Sequence, residues 1–231
     1  MFFPLDGIGE IGAGTDLGAM LGAAITHCGL HLEPHDLLVV AQKVVSKAED
    51  RFVDLRRVEP SARALELAGS TAKDPRLVEL ILRESSEVLR ARQNVLIVRH
   101  RLGYVLAQAG IDRSNVPGDE RVLLLPIDPD ASAASLRDTL RASSGVDIGV
   151  VITDSFGRPW RLGTTNVAIG AAGVPALWDR RGERDRMGRA LESTMVAWAD
   201  AIAAAAGLLM GEAAESVPAV LVRGLACPAA P

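Results

Sequence analysis

The sequence predicts an α+β fold of mixed sheets and packed helices, and three observations carry that expectation. Apolar runs of strand length and segments of helical period both recur, so both element types are present. They do not follow the regular strand–helix–strand rhythm that builds a doubly wound parallel sheet. No internal repeat, low-complexity linker or obvious boundary divides the 231 residues, so any two-part organisation is interleaved in sequence.

In chain order, DGIGEIGAG (6–14) is a glycine-rich loop whose backbone amides suit a phosphate. No strand of useful length precedes it, so it is not the dinucleotide fingerprint. Residues 15–28 offer Thr15 or Asp16 as N-cap and then apolar residues at helical spacing, which predicts a helix. His27, His31 and His35 would share one face of a continuous helix, but Gly29 and Pro34 interrupt it, and no histidine metal site is expected. Leu37–Ala41 reads as a buried strand, with Gln42, Lys43, Ser46 and Lys47 following at its end. Lysines placed there are either solvated stems or anion binders. Helices are predicted from Ser61 to Gly69 and from Pro75 to Arg83, capped by Ser61 and Asp74, the second with proline in its first turn.

Residues 94–110 read as two strands joined by a turn at Arg101–Gly103. Residues 121–142 give a strand, a double Asp-Pro turn and a helix opening near Asp130. Further strands are expected at 146–153, Thr165–Ile169, Val174–Trp178 and 219–224, and a long Ala-rich helix from Gly188 to Met210.

Hydrophobic residues make up 48% and charged residues 23%, the balance of an ordinary soluble globule. A net charge of -4 without a basic stripe gives no reason to expect nucleic acid. The N-terminus does not read as a secretory signal, and no apolar run reaches membrane-span length, so no membrane partner and a cytoplasmic location are expected. Cys28 and Cys227 stand near opposite ends without CxxC spacing, which suggests reduced, structural thiols rather than a zinc site or disulfide framework.

The segment GVDIGVVITDSFGRPWR (145–161) carries the strongest sign of chemistry. An apolar run ends in Asp154, Ser155 and Gly157 with Arg158 and Arg161 beyond. A carboxylate there can hold a metal ion, glycine lets backbone approach a ligand, and the arginines can neutralise phosphate or carboxylate charge. A turn capped by Asp154 with both arginines in water accounts for the same residues. AGIDRSNV (109–116) adds Asp112 and Asn115, and LLMGEAAESVPAV (208–220) adds Glu212 beside a helix end at Gly211. GxxxxGK[ST] and GxSxG are both absent, so neither a P-loop nor a nucleophile elbow is present. Asp112, Asp154 and Glu212 with Lys43, Lys47 and Arg158 are oxygen donors and cations suited to Mg²⁺ or Mn²⁺ and a phosphate.

Taken together, GIGEI, LLVVAQKVVSKAEDRFVDL, KDPRLVELILRES, AGIDRSNV, LLLPIDPDASA, VITDSFGRPWR, NVAIGAAGV and LLMGEAAESVPAVLVRG resemble the coenzyme F420-0:L-glutamate ligase (CofE) family over nearly the whole chain and in order. That resemblance implies a GTP-dependent ligase that joins the amine of L-glutamate to the terminal carboxylate of the deazaflavin coenzyme F420-0 and extends a γ-linked tail, releasing GDP and phosphate. It implies a single unit over 1–231 with two interleaved subdomains, a homodimer, and none of the extra C-terminal flavin domain of some relatives. By the same resemblance Asp112, Asp154, Ser155 and Glu212 ligate two divalent ions, Mg²⁺ or Mn²⁺, with K⁺ as a further ion. Gly7, Ile8, Gly9, Glu10, Gln42, Lys43, Lys47, Asn115 and the run Met210, Gly211, Glu212, Ala213, Ala214, Glu215, Ser216, Val217 form the GTP site. Lys47, Asp154 and Arg158 are then the catalytic set, the two cations offsetting charge while an acyl phosphate forms.

The chain departs from the family pattern in places. Ser155 replaces a usual threonine, Gly9 a common proline, and Gly163, Thr164, Thr165 and Asn166 stand where Gly-Gln-Thr-Asp is common. Two other readings stay open on the sequence: a ligase of the same scaffold with another acceptor or amino acid, and a GTP-binding protein without catalysis.

Overall fold

The computed structural model describes residues 1–226, so Cys227 lies outside the described residues, while Cys28 is a free thiol. The central sheet has five strands in the order β1 (Phe2–Pro4), β12 (Ala219–Val222), β2 (Leu37–Ala41), β8 (Gly149–Gly157) and β9 (Thr164–Ala172). Only β2 and β8 run parallel, the other three pairings being antiparallel, which makes the sheet mixed and the fold α+β. The inner strands β2 and β12, LLVVA and AVLV, are near-continuous apolar runs because both faces of the sheet are covered. One face packs α1 (Leu17–His27) and α5 (Pro129–Ser144) over Leu38, Ile152 and Leu221, with Leu21 and Leu140 fully enclosed. The other packs α6 (Trp198–Met210) over Val39, Val151 and Val220 through Ile202, Ala203 and Ala206.

A second apolar core is formed by residues from Leu55 to Leu124, all of them between β2 and β8 in sequence. Helices α3 (Ala62–Thr71) and α4 (Pro75–Arg83) cover the antiparallel sheet of β4 (Ser85–Arg92), β5 (Val95–His100) and β6 (Val105–Ala107). A short pair, β3 (Phe52–Asp54) with β7 (Arg121–Leu123), closes this part against α2 (Gln42–Ala48). A separate hairpin arm of β10 (Leu177–Asp179) and β11 (Met195–Ala197) leaves the main body after β9.

The helix starts follow the expected caps. Asp16 accepts from the Ala19 amide, Ser61 from Ala64, Asp74 from Arg76 and Asp128 from Ala131, satisfying amides that the first turn leaves unpaired. The helix expected to open near Asp130 begins at Pro129, with Asp128 as its cap.

Gln42 and Lys43 follow directly on the end of β2, as expected, and form the first turn of α2, a helix that was not expected. Two expectations need correction. β8 does not end before Asp154 but continues to Gly157, because Asp154, Ser155 and Phe156 pair with Val167, Asn166 and Thr165 of β9. The Ala-rich helix starts at Trp198 rather than Gly188: Gly188 is left-handed at φ 81° and Met195–Ala197 pair with β10. β1 and β4 were absent from the expected elements, and the strand expected at Val174–Trp178 is the three-residue β10.

Candidate active site

Where the N-terminal loop, α2, the β8–β9 hairpin and two long loops meet, a cavity of about 710 Å³ opens, a size that takes a nucleotide-sized ligand. Each wall arises from a different part of the chain. Ile8, Gly9 and Glu10 come from the glycine-rich loop, Gln42, Lys43 and Lys47 from α2, and Asp112 and Asn115 from the turn after β6. Asp154 and Ser155 come from β8 with Asn166 opposite on β9, and Met210 to Val217 come from the end of α6 and the loop beyond. Among the sequence candidates, Gly7 and Arg158 do not line this cavity. Arg158 is exposed beyond the hairpin ladder, and its guanidinium donates to the Leu162 carbonyl at 2.6 Å.

α2 is seven residues long and contributes Gln42, Lys43 and Lys47 to the cavity lining. Gln42 is 3% exposed and its side-chain oxygen accepts from Ser46 Oγ at 2.9 Å, which holds it inside. Lys47 is also buried, with Glu10 at 3.9 Å as a weak ionic neighbour. Lys43 reaches across the cavity to Asp112 at 2.7 Å and donates to Ser114 Oγ at 2.7 Å. That contact joins the main sheet's side to a turn within the second core's stretch of chain.

Asp112 is placed by backbone: its amide and carbonyl exchange hydrogen bonds with Leu123, both at 2.9 Å, so the turn cannot slide along β7. Its carboxylate also accepts from the Ser114 amide and hydroxyl. Asn115 is left-handed at φ 54° and donates to the Ala213 carbonyl at 3.4 Å, linking two loops across the cavity mouth.

Asp154 keeps a face open to the cavity, yet protein surrounds most of its carboxyl. Burial pushes its pKa up to about 7; the Ser155 amide at 2.9 Å opposes the rise, Asp112 adds to it, Lys43 opposes it and Glu212 adds to it. A carboxyl in this position gains from a nearby cation. Among the described residues no three of His, Cys, Asp and Glu converge into a ready-made metal cage. The donor set nevertheless fits Mg²⁺ or Mn²⁺, since such ions are commonly held by one or two carboxylates with water and substrate phosphate completing the shell. Lys43 is the group such an ion would displace from Asp112.

The loop after α6 has a turn of its own making. Gly211 is left-handed at φ 73°, and a Cβ there would lie 2.2 Å from Glu215 Cδ, so only glycine fits. Glu215 accepts from the Ala213 amide at 2.8 Å, and the backbone amides around it hold its carboxyl below the usual range. Glu215 thus shapes the loop from within, whereas Glu212 remains exposed at the cavity edge.

Sequence reasoning missed part of the apolar lining, including Ile11, Val44 and Pro218, and it missed Thr153. Apolar residues next to glycine and proline in loops carry no periodicity, so the only available signal was their spacing around the polar candidates.

Fold and cavity together define a class: an α+β protein with an interior cleft in which carboxylates and lysines face one another, suited to a polyanionic substrate with a hard cation. Comparison with known proteins gives the family. The profile of the F420-0:Gamma-glutamyl ligase family matches residues 7–224. The chain is 46% identical over 220 residues to the coenzyme F420:L-glutamate ligase of Methanothermobacter thermautotrophicus, covering 95% of this chain and 87% of that one. It is 49% identical over 216 residues to the enzyme of that name from Methanopyrus kandleri, covering 94% and 83%. With that of Archaeoglobus fulgidus it shares 43% over 223 residues, covering 96% and 87%. The chain belongs to the F420-0:gamma-glutamyl ligase family, and is therefore a ligase.

Proposed function

We propose that this protein joins the amine of L-glutamate to the terminal carboxylate of coenzyme F420-0 at the expense of GTP, and then adds further glutamates through γ-linkages. The observation that carries this reading is the cavity itself. In a chain of this ligase family, Lys43 and Lys47 face Asp112, Asp154 and Glu212 across a space large enough for a nucleotide.

A carboxylate does not condense with an amine in water without activation. In the proposed reaction a carboxylate oxygen of F420-0 attacks the γ-phosphorus of GTP and the bond to the β-phosphate oxygen breaks, giving an acyl phosphate and GDP. The glutamate amine then attacks the acyl carbon, phosphate leaves, and the amine's proton passes to solvent. When bound, two divalent ions would neutralise phosphate charge; Asp112, Asp154, Ser155 and Glu212 are the residues to hold them, with K⁺ as a further ion. Lys47, enclosed in α2, is placed to donate to a phosphate oxygen as negative charge moves toward the leaving group. Gln42 orients that side of the pocket. The loops 8–10 and 210–217 together with Asn115 frame the nucleotide.

The protein is incubated with F420-0, L-glutamate, GTP and Mn²⁺, and products are read by mass spectrometry. Masses rising by whole glutamyl units with matching GDP release are expected. No adduct in the presence of all four components would sink the reading. Asn166 lines the cavity where the family pattern commonly has aspartate, which favours testing a second reading with the same assay: another amino acid replacing glutamate.

A further inference from the structure

The β8–β9 hairpin that carries Asp154 and Ser155 into the cavity does not stop at its rim. Its ladder closes at Gly157 paired with Thr164, and residues 158–163 form a tip beyond it. That tip has an unusual surface. Trp160 is 101% exposed and Leu162 97%, the two most exposed large apolar side chains described. Trp160 also lies in the left-handed region at φ 56°, which a bulky residue adopts only under strain. Arg158 folds back to hold the turn through the Leu162 carbonyl, and Arg161 is free in solvent beside it.

A strained tryptophan held fully in water, in a six-residue tip that also carries two arginines, gains no packing to offset its strain. Such a residue is poised for something planar and anionic. We propose that the hairpin tip is the acceptor clamp: Trp160 stacks on the aromatic head of the acceptor while Arg158 and Arg161 attract its anionic tether. This rests on the F420-0 reading above and deepens it by naming where the deazaflavin ring sits. The spacing suits that molecule. Asp154 lies three residues inside the ladder's end at Gly157, roughly 10 Å along the strand, so an extended acceptor that spans this stretch and the tip beyond it lays its terminal carboxylate beside Asp154 and Ser155. A contact between two copies of the tip across a two-fold axis would instead set Arg158 and Arg161 against their own counterparts.

The tip is solvent-exposed, so its substitution leaves the fold intact. W160A, W160F and R158Q are compared with the wild type in steady-state glutamylation, in calorimetric titration with F420-0, and in light scattering. Loss of stacking in W160A is expected to raise the KM and Kd for F420-0 by roughly tenfold. W160F restores most of the affinity, R158Q weakens F420-0 severalfold, and the KM for GTP does not follow. An F420-0 affinity unchanged in W160A overturns the clamp, as does an equal rise in the GTP KM. A drop in particle mass in W160A overturns it too, showing a contact between copies. A wild type that binds F420-0 without glutamylating it defeats the ligase reading alone, and the clamp is then decided by the Kd values of the same variants. A wild type that does not bind F420-0 defeats both.

Discussion

Because burial lifts the Asp154 carboxyl to about 7, its ionisation in the folded chain works against stability. The sign follows from linkage: a carboxyl whose folded pKa lies above the unfolded value contributes stability that is complete below about 4 and lost as pH rises through about 7. In the metal-free protein, stability should fall across that window by an amount on the order of a few kcal/mol. Asn accepts the same Ser155 amide without a charge, so Asp154→Asn should flatten the pH dependence and exceed the wild type in Tm at pH 8. If Asp154 holds a divalent ion in the proposed reaction, the same change should lower turnover by on the order of a hundredfold or more, because the ion's interaction with charge developing in the transition state is lost. Thermal melts from pH 4.5 to 8.5 in chelator, with and without added Mn²⁺, decide it. Parallel wild-type and variant curves would show that the carboxyl is not strained. Equal stabilisation of both proteins by Mn²⁺ would remove Asp154 from the metal set.

At the scale of elements, the site depends on how closely α6 lies on β9. A Cβ built on Gly207 of α6 would lie 2.5 Å from the Asn166 side chain, which lines the cavity. Glycine to alanine normally strengthens a helix by up to about 1 kcal/mol. Here overpacking of about 1–3 kcal/mol outweighs that gain. Gly207→Ala should thus be destabilising and should lower activity by displacing Asn166. Gly69→Ala in α3, where a Cβ meets open space, is the matched control and should be neutral to stabilising in denaturant titrations. If both substitutions stabilise equally, α6 does not hold Asn166 in place.

Elements with local signals were legible in the sequence. Asp74–Pro75 placed α4 to the residue and Leu37–Ala41 placed β2, because a cap or a buried run is written in neighbouring residues. α2 was not seen, since seven residues directly after a strand give barely two turns of period. β4 carries register shifts between Ser85 and Glu87 and between Val88 and Arg90, which scramble its alternation. The length of β8 was hidden because Asp154 and Ser155 are strand residues only by pairing with β9. For the candidate site, the polar residues that meet in the cavity could be named from loop chemistry and family resemblance. What could not be read was Lys43 bridging to Asp112, a contact 69 residues apart in sequence that only the folded chain creates.

For the whole molecule, the apolar surface left uncovered points to a second copy. The arm formed by β10 and β11 is a two-stranded hairpin, a structure marginal by itself in water. Its base is pinned to α6 by Trp178 packed edge-on against Trp198 at 5.4 Å, with Arg180 over the Trp178 ring. Along the rest of it Leu177, Met187 and Met195 stand 53%, 82% and 48% exposed, and Leu208 on α6 is 87% exposed. Scattered exposed apolar residues are ordinary, but the register places Leu177 and Met195 on one face of the hairpin, an apolar surface that a partner would cover. A homodimer is the expected form, because a closed two-fold pairing buries the same patch on both chains at once. Light scattering at tens of micromolar should then give about twice the 24.4 kDa of one chain. Leu177→Glu combined with Met195→Glu would put charge at the centre of the contact and should shift the mass toward a single chain while helical circular dichroism is retained. A wild-type mass near 24.4 kDa, or a mass indifferent to both substitutions, would free the arm from any role in self-association.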